Sequence, residues 1–278
     1  MTSPARNVVA SRDGTQIGFH TRGRGPSLLV VHGALGTSDD LATLSEVLSD
    51  RFTVHAMDRR GRGMSGPQGS DYCIRKECED LDAVRVATGS SLVFGHSYGG
   101  LAALEASRAN VPFAKMALYE PGVSVRATTA ADWAWLGVYE QALNDRDPLR
   151  AFISLMRGAG HAESLNWVPD WLLRLLLKLG VGRDYLRRIV PLLPSGLPEH
   201  REVRRLERTL DNYRDLPSEV LLMSGAGSPK IVHDAIDALE KTLPRTHRVT
   251  FPNLDHLAPA NGHSPWEVAA RLTPFFLG

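Results

Sequence analysis

The sequence predicts an α/β protein: a mostly parallel sheet covered by helices, with a helical segment inserted late in the chain. Two observations predict it. Short continuous apolar runs alternate with helix-length segments through residues 27–119, and this rhythm stops near residue 122 and resumes near residue 217. Strand, loop, helix, strand repeated in that way is the pattern of βαβ units. The expected organisation is a sheet domain formed by residues 1–121 and 217–278, with residues 122–216 forming a helical cap.

Residues 6–21 read as two short strands around the Asp13-Gly14 turn. Ser27-Leu28-Leu29-Val30-Val31 is apolar without alternation, which suits a strand buried on both faces. It ends in His32-Gly33-Ala34-Leu35-Gly36, and a helix is expected over 39–48. A strand over 52–57 leads into the glycine-rich Asp58-Arg59-Arg60-Gly61-Arg62-Gly63-Met64-Ser65-Gly66, then a helix over 75–87. The strand 91–94 enters Gly95-His96-Ser97-Tyr98-Gly99-Gly100, a helix follows over 101–108, and a strand over 115–119 ends in Glu120-Pro121. The insertion holds Trp133, Trp135, Trp167 and Trp171 and is cut into short helices by prolines at 148, 169, 191, 194 and 198. A strand over 219–224, a helix over 231–243, a strand over 248–251 and a helix over 265–276 complete the chain.

Composition narrows the function classes. The formal net charge of +1 gives no reason to expect a polyanion, and the arginines of the second half are interspersed with acids, so no nucleic-acid partner is expected. No run of eighteen apolar residues occurs, and residues 1–11 are polar without an apolar signal core; a cytoplasmic protein with no membrane partner is expected. Cys73 and Cys78 are too few for a disulfide framework or a zinc site and read as plain thiols. The glycines at 61, 63 and 66 lack the Gly-Lys-Ser/Thr ending of a phosphate loop. The expected partner is a small-molecule substrate, with no cofactor.

Gly95-His96-Ser97-Tyr98-Gly99 is a Gly-x-Ser-x-Gly pentapeptide between an apolar strand and a helix. A sharp turn there strains the middle residue and lifts its hydroxyl above the sheet, where helix N-terminal amides favour negative charge. A serine hydroxyl needs a base. His256, in Asn253-Leu254-Asp255-His256-Leu257 after the last strand, stands where open α/β sheets form sites; His263 is its competitor, and His96 reads as a packing residue. The oxyanion donors expected are the N–H groups of Tyr98 and Ala34, with His32 bracing the loop.

With His32-Gly33, the 58–65 loop, the 95–100 turn and the late His256 in this order, the chain resembles the α/β-hydrolase superfamily over nearly its whole length. The resemblance implies an eight-stranded, mostly parallel sheet, a helical cap after the sixth strand, and a structural role for the 58–65 loop. It also exposes a departure. The family's usual acid follows the strand after the cap in Gly-x-x-Asp-Pro, but here the segment is Gly225-Ala226-Gly227-Ser228-Pro229, with a serine where the aspartate would be. Glu120, at the end of the strand before the cap, keeps the order serine, acid, histidine and is the expected acid. Asp234 and Asp255 are the other carboxylates at hand, and a dyad in which water or Ser228 orients His256 is a further arrangement.

A serine nucleophile points to an acyl-enzyme and to hydrolysis of an ester, thioester, lactone or amide, with a carboxylic ester of a small, partly apolar substrate as the leading expectation. Trp133, Trp135, Tyr139, Trp167 and Trp171 are the expected pocket lining. Two other classes stay open: a cofactor-free lyase, C–C hydrolase or cyclase on the same scaffold, and a non-catalytic ligand-binding protein.

Overall fold

The computed structural model describes residues 3–109, 111–125, 130–160, 167–180 and 183–278. Eight strands form one sheet: β1 (Ala5–Ala10), β2 (Gln16–Gly23), β3 (Ser27–Val31), β4 (Thr53–Met57), β5 (Leu92–His96), β6 (Lys115–Tyr119), β7 (Glu219–Gly225) and β8 (Thr246–Phe251). Their order is β1-β2-β4-β3-β5-β6-β7-β8. The first hairpin is antiparallel, β2 pairs antiparallel with β4, and every other pair is parallel. The mostly parallel α/β sheet that the sequence predicts is therefore the observed architecture.

The unalternated apolar strands follow from burial on both faces. Leu29 and Val31 of β3, with Val93 of β5, pack against α2 (Ile74–Thr88), α3 (Tyr98–Arg108) and, further along the sheet, α9 (Lys230–Thr242). Leu28, Val30 and Phe94 face the other way, onto α1 (Ala42–Leu48) and α10 (Pro265–Leu277). One face of each of these strands thus serves each core, which is why their central residues are apolar without alternation. Cys73 and Cys78 are free thiols, the second buried. Among the described residues no helix is long and apolar enough to cross a membrane.

Among the described residues between β6 and β7 the regular elements are all helical: α4 (Trp135–Asn144), α5 (Pro148–Gly158), α6 (Asp170–Gly180), α7 (Arg183–Ile189) and α8 (Leu193–Arg205), with short 3₁₀ turns. They carry a core of their own, built from Leu136, Tyr139, Phe152, Leu155, Ile189 and Leu193. Asp147 caps α5 by accepting from Arg150 N–H at 3.1 Å, with Pro148 opening the helix.

α3 begins at Tyr98, three residues before the start that the sequence suggests. Gly99 and Gly100 are weak helix formers, which masks the first turn in the sequence. Packing requires them: a β-carbon on Gly99 would meet the carbonyl oxygens of Val31 and His32, and one on Gly100 would meet Pro121. The earlier start brings the helix N-terminus directly to Ser97.

Candidate active site

Ser97 sits between β5 and α3 with φ 53° and ψ −122°, a backbone conformation that costs a non-glycine residue about 1–3 kcal/mol. The surroundings hold it there: its N–H donates to Tyr119 C=O at 3.0 Å, and its own C=O accepts from Gly122 N–H at 2.8 Å. Gly95 gives the turn room, since a β-carbon there would press on Gly99 and Gly100. Glu120, one residue past β6, is likewise left-handed, with φ 46°, and its N–H donates to Met223 C=O at 2.9 Å. Leu35, next to Ala34, has φ 45°, so three of the five described non-glycine residues with positive φ flank this one place.

The structure brings Glu120 and His256 together. His256 Nδ1 donates to Glu120 Oε2 at 2.7 Å, which places the ring's lone pair on Nε2. The other carboxylate oxygen, Oε1, accepts from Gly225 N–H at 2.8 Å and from the Ser228 hydroxyl at 2.5 Å. Ser228, at the position where the family's usual aspartate would stand, thus shares this oxygen with Gly225 N–H. Glu120 is 2% exposed, and burial pushes the His256 imidazole down to about 4, so it is neutral and able to accept a proton at neutral pH. Asp234 pairs with Lys230 at 2.5 Å on α9, and the Asp255 carboxylate accepts from Leu257 N–H at 2.9 Å.

The loop that carries His256 is held from below. His96 Nε2 donates to His256 C=O at 2.9 Å, the two rings lying 4.8 Å apart, and the Tyr119 hydroxyl donates to Asp255 C=O at 2.7 Å. His96 thus braces the histidine loop. A β-carbon on Gly225 would collide with the Leu254 backbone, and Gly227 N–H donates to Leu254 C=O at 2.9 Å. The end of β7 and the histidine loop fit only because Gly225 carries no side chain.

Ser97, His256, Glu120, Tyr98 and Ala34 all line one cavity, of about 840 Å³ counting its open mouth. Tyr98 is the first residue of α3, so its N–H is one of those that a helix leaves without an intrahelical carbonyl. His32 Nε2 accepts from Arg59 N–H at 3.1 Å while Nδ1 donates to Gly33 C=O at 2.8 Å, and burial beside the Arg59 and Arg62 cations holds the ring far below its usual range and neutral. The 58–65 loop is a buried frame. Asp58 accepts from Ser38 N–H and Met64 N–H, both at 2.9 Å, and Arg60 forks onto Asp80 at 2.6 and 2.7 Å.

The helical layer closes the cavity with Trp133, Trp135, Gly158, Ala159, His200 and Val203. Of the five aromatic residues that the sequence suggests as lining, Trp133 and Trp135 take that place, and three do not. Tyr139 is fully buried within the layer, its hydroxyl on Leu193 C=O at 2.5 Å. Trp167 and Trp171 are 81% and 67% exposed and belong to the outer surface. Composition favours tryptophan in a pocket, but only tertiary packing decides which face of each helix turns inward. His200 was not singled out from the sequence. Its Nδ1 donates to Gly196 C=O at 2.7 Å, and burial lowers its pKa, so the ring is an acceptor at Nε2. One histidine on a proline-interrupted helix gives no sequence signal of this.

The arrangement contains a strained hydroxyl above a helix N-terminus, a neutral imidazole oriented by a buried carboxylate, and amides in the same wall. Those are the parts of acyl transfer through a covalent intermediate. Among the described residues no cluster of three metal-ligating side chains occurs.

Comparison with known proteins gives a consistent placement. The chain is 24% identical over 259 residues to a 2-(acetamidomethylene)succinate hydrolase of Mesorhizobium japonicum, covering 91% of this chain and 89% of the relative. It is 28% identical over 269 residues to a pimeloyl-[acyl-carrier protein] methyl ester esterase of Stenotrophomonas maltophilia, covering 91% and 93%. A solved alpha/beta hydrolase from Sphaerobacter thermophilus matches with TM-score 0.80 at 27% identity, covering 97% of this chain and 100% of that one. The model of the alpha/beta hydrolase family matches residues 28–272, from β3 through the helical layer to α10, and the chain belongs to that family.

Proposed function

We propose that this hydrolase cleaves a carboxylic ester of a small, uncharged, partly apolar molecule through an acyl-enzyme on Ser97. The observation that carries the reading is the 2.7 Å hydrogen bond from His256 Nδ1 to the buried Glu120, with His256 and Ser97 in the wall of one cavity. The Ser97 hydroxyl attacks the ester carbonyl and gives its proton to His256 Nε2. Glu120 stabilises the imidazolium, and the N–H groups of Tyr98 and Ala34 receive the oxyanion. Collapse of the tetrahedral intermediate expels the alcohol, which takes the proton from His256. Water, deprotonated by the same imidazole, then attacks the acyl-enzyme, and the acid leaves as the Ser97 hydroxyl regains its proton.

The lining supports the substrate class. Val123, Trp133, Trp135, Val203 and Ile231 make it largely apolar, and among the described residues no lysine or arginine lines it. An uncharged acyl part suits such a wall better than a carboxylate-bearing one. The similarity to an ester hydrolase of Stenotrophomonas maltophilia supports the reaction type.

Active-site labelling tests the proposal. A fluorophosphonate probe is expected to add to Ser97, found by peptide mass, and to leave the Ser97→Ala protein unlabelled. p-Nitrophenyl esters of short to medium acyl length are expected to turn over. An unlabelled wild-type protein would make this a binding module. Labelling with no turnover of any ester would shift the chemistry to a lyase, cyclase or C–C hydrolase.

A further inference from the structure

Arg59 is fully buried, and its guanidinium takes no part in the acyl transfer proposed above. Its Nε and Nη2 fork onto Glu77 of α2 at 3.1 and 2.7 Å, and Nη2 also reaches Glu199 of α8 at 2.5 Å. Its Nη1 donates to Gly33 C=O at 3.1 Å, and its guanidinium lies 4.5 Å from the centre of the Tyr98 ring. One cation therefore touches the Tyr98 ring and the carbonyl of the Gly33–Ala34 peptide, whose N–H groups are the proposed oxyanion donors. Gly33 C=O belongs to the same peptide unit as Ala34 N–H, and in a trans peptide the two bonds point in opposite directions. The carbonyl has two acceptor positions, and both are taken, one by Arg59 Nη1 and one by His32 Nδ1 at 2.8 Å.

We propose that Arg59 is a positioning residue for ester hydrolysis: with His32 it locks the Gly33–Ala34 peptide so that Ala34 N–H is presented to the cavity, and Glu199 ties that lock to the helical layer. The inference rests on the acyl-enzyme reading. A flip of this peptide would turn a carbonyl oxygen toward the developing oxyanion, and Gly33, with no β-carbon, offers little steric resistance to it. The flip would break two hydrogen bonds, one from a buried cation. Donation from that cation also polarises the peptide, which makes its N–H a better donor to negative charge. Tyr98 is held by the same guanidinium and by its hydroxyl, 2.9 Å from that of Tyr72. Glu199 precedes His200, which lines the cavity, so α8 reaches cavity and lock through adjacent residues.

The test separates binding of an oxyanion from binding of its neutral parent. A trifluoromethyl ketone adds to a serine and presents an oxyanion; the matching methyl ketone fills the same cavity largely without adding. Arg59→Lys keeps the charge but lacks the planar fork, so it cannot hold Glu77, Glu199 and Gly33 C=O together. It is expected to lower kcat about 10- to 100-fold, less than the ~10²–10³ for outright loss of an oxyanion donor, with KM changed by less than about threefold. Its affinity for the trifluoromethyl ketone should fall by the same factor as kcat/KM, with methyl ketone affinity unchanged. His32→Gln, which removes the second donor to the same carbonyl, should act in the same direction and decides the matter if Arg59→Lys does not fold. Equal weakening of both ketones, or no change in either variant, overturns the lock. A wild-type protein that binds the two ketones equally would instead overturn the acyl-enzyme reading, and with it this one.

Discussion

At the strand ends, backbone hydrogen bonds that prolong the sheet fix the groups of the site. Ser97 N–H reaches Tyr119 C=O, Glu120 N–H reaches Met223 C=O, and Ala226 N–H reaches Phe251 C=O. The helical layer meets the sheet domain in another way, through side chains. Glu199 lies between Arg59 and Arg62 at 2.5 and 2.6 Å, Glu202 accepts from Ile74 N–H at 2.9 Å, and Gln68 reaches Ser195 C=O at 3.1 Å. The proposed catalytic groups are thus mounted on the backbone frame of the sheet. The helical wall of the cavity is held instead by these side-chain contacts and by Val203 and Leu206 packing into the sheet core. Changes at the strand ends should therefore alter rate at constant fold, and changes in the layer should alter selectivity at constant chemistry.

The largest effect should come from Glu120→Gln. The glutamine is isosteric, and its amide oxygen can still accept from Gly225 N–H and the Ser228 hydroxyl. Its NH₂ would then face His256 Nδ1, which favours the tautomer with the proton on Nε2, the wrong form for a base. Loss of the acid in such an arrangement costs about 10⁴ in rate. The expected outcome is a fall of that order in kcat, with an unchanged circular dichroism spectrum. A kcat within tenfold of wild type would remove Glu120 from its role and reduce the site to a dyad.

Gly158→Ala probes the other region. A β-carbon on Gly158, at the end of α5, would lie inside the Trp135 indole. That indole is stacked against Trp133 and Tyr139, 6.0 and 6.2 Å between centroids, and meets His200 edge-on at 5.4 Å. It cannot yield without moving its neighbours. Overpacking of this kind typically destabilises by about 1–3 kcal/mol. A lowered Tm is expected, with a shift in the relative kcat/KM of long and short esters. The rate of Ser97 labelling by a small fluorophosphonate should change less than threefold, because the strand-end groups are untouched. A loss of labelling as large as that for Glu120→Gln would mean that the two regions are not separable.

The same division explains what the sequence makes legible. The strands of the parallel sheet announce themselves because burial on both faces forces unbroken apolar runs such as Ser27–Val31. Ser97 and His256 are legible because strand-end chemistry needs particular residue types in particular turns. Even the proposed acid left a trace, in Ser228 where a carboxylate is usual and in Glu120 at the end of the preceding strand. The layer left no comparable trace. Trp171, Leu175 and Leu179 have helical spacing, which reads equally as a buried face, yet all three are exposed. Arg59, Glu77 and Glu199 read in one dimension as ordinary charges, because partners 18 and 140 positions apart pair only once the chain has folded.

Ser228→Ala should have the smallest effect of the three and is the sharpest measure of how firmly the frame holds the acid. The hydroxyl donates to Glu120 Oε1 at 2.5 Å, but Gly225 N–H holds the same oxygen from the backbone at 2.8 Å. Because the backbone donor stays, the carboxylate keeps its place and its bond to His256. A hydrogen bond to a charged group is worth about 1.5–3 kcal/mol, most of it spent here on the ground state of the carboxylate rather than on the transition state. The expected outcome is a kcat reduced by less than about tenfold, since one unit of 1.4 kcal/mol is a factor of ten. A loss approaching that of Glu120→Gln would mean that the serine hydroxyl, and not the sheet backbone, orients the acid. The strand end of β7 would then belong with the helical layer, as a region whose geometry depends on side chains.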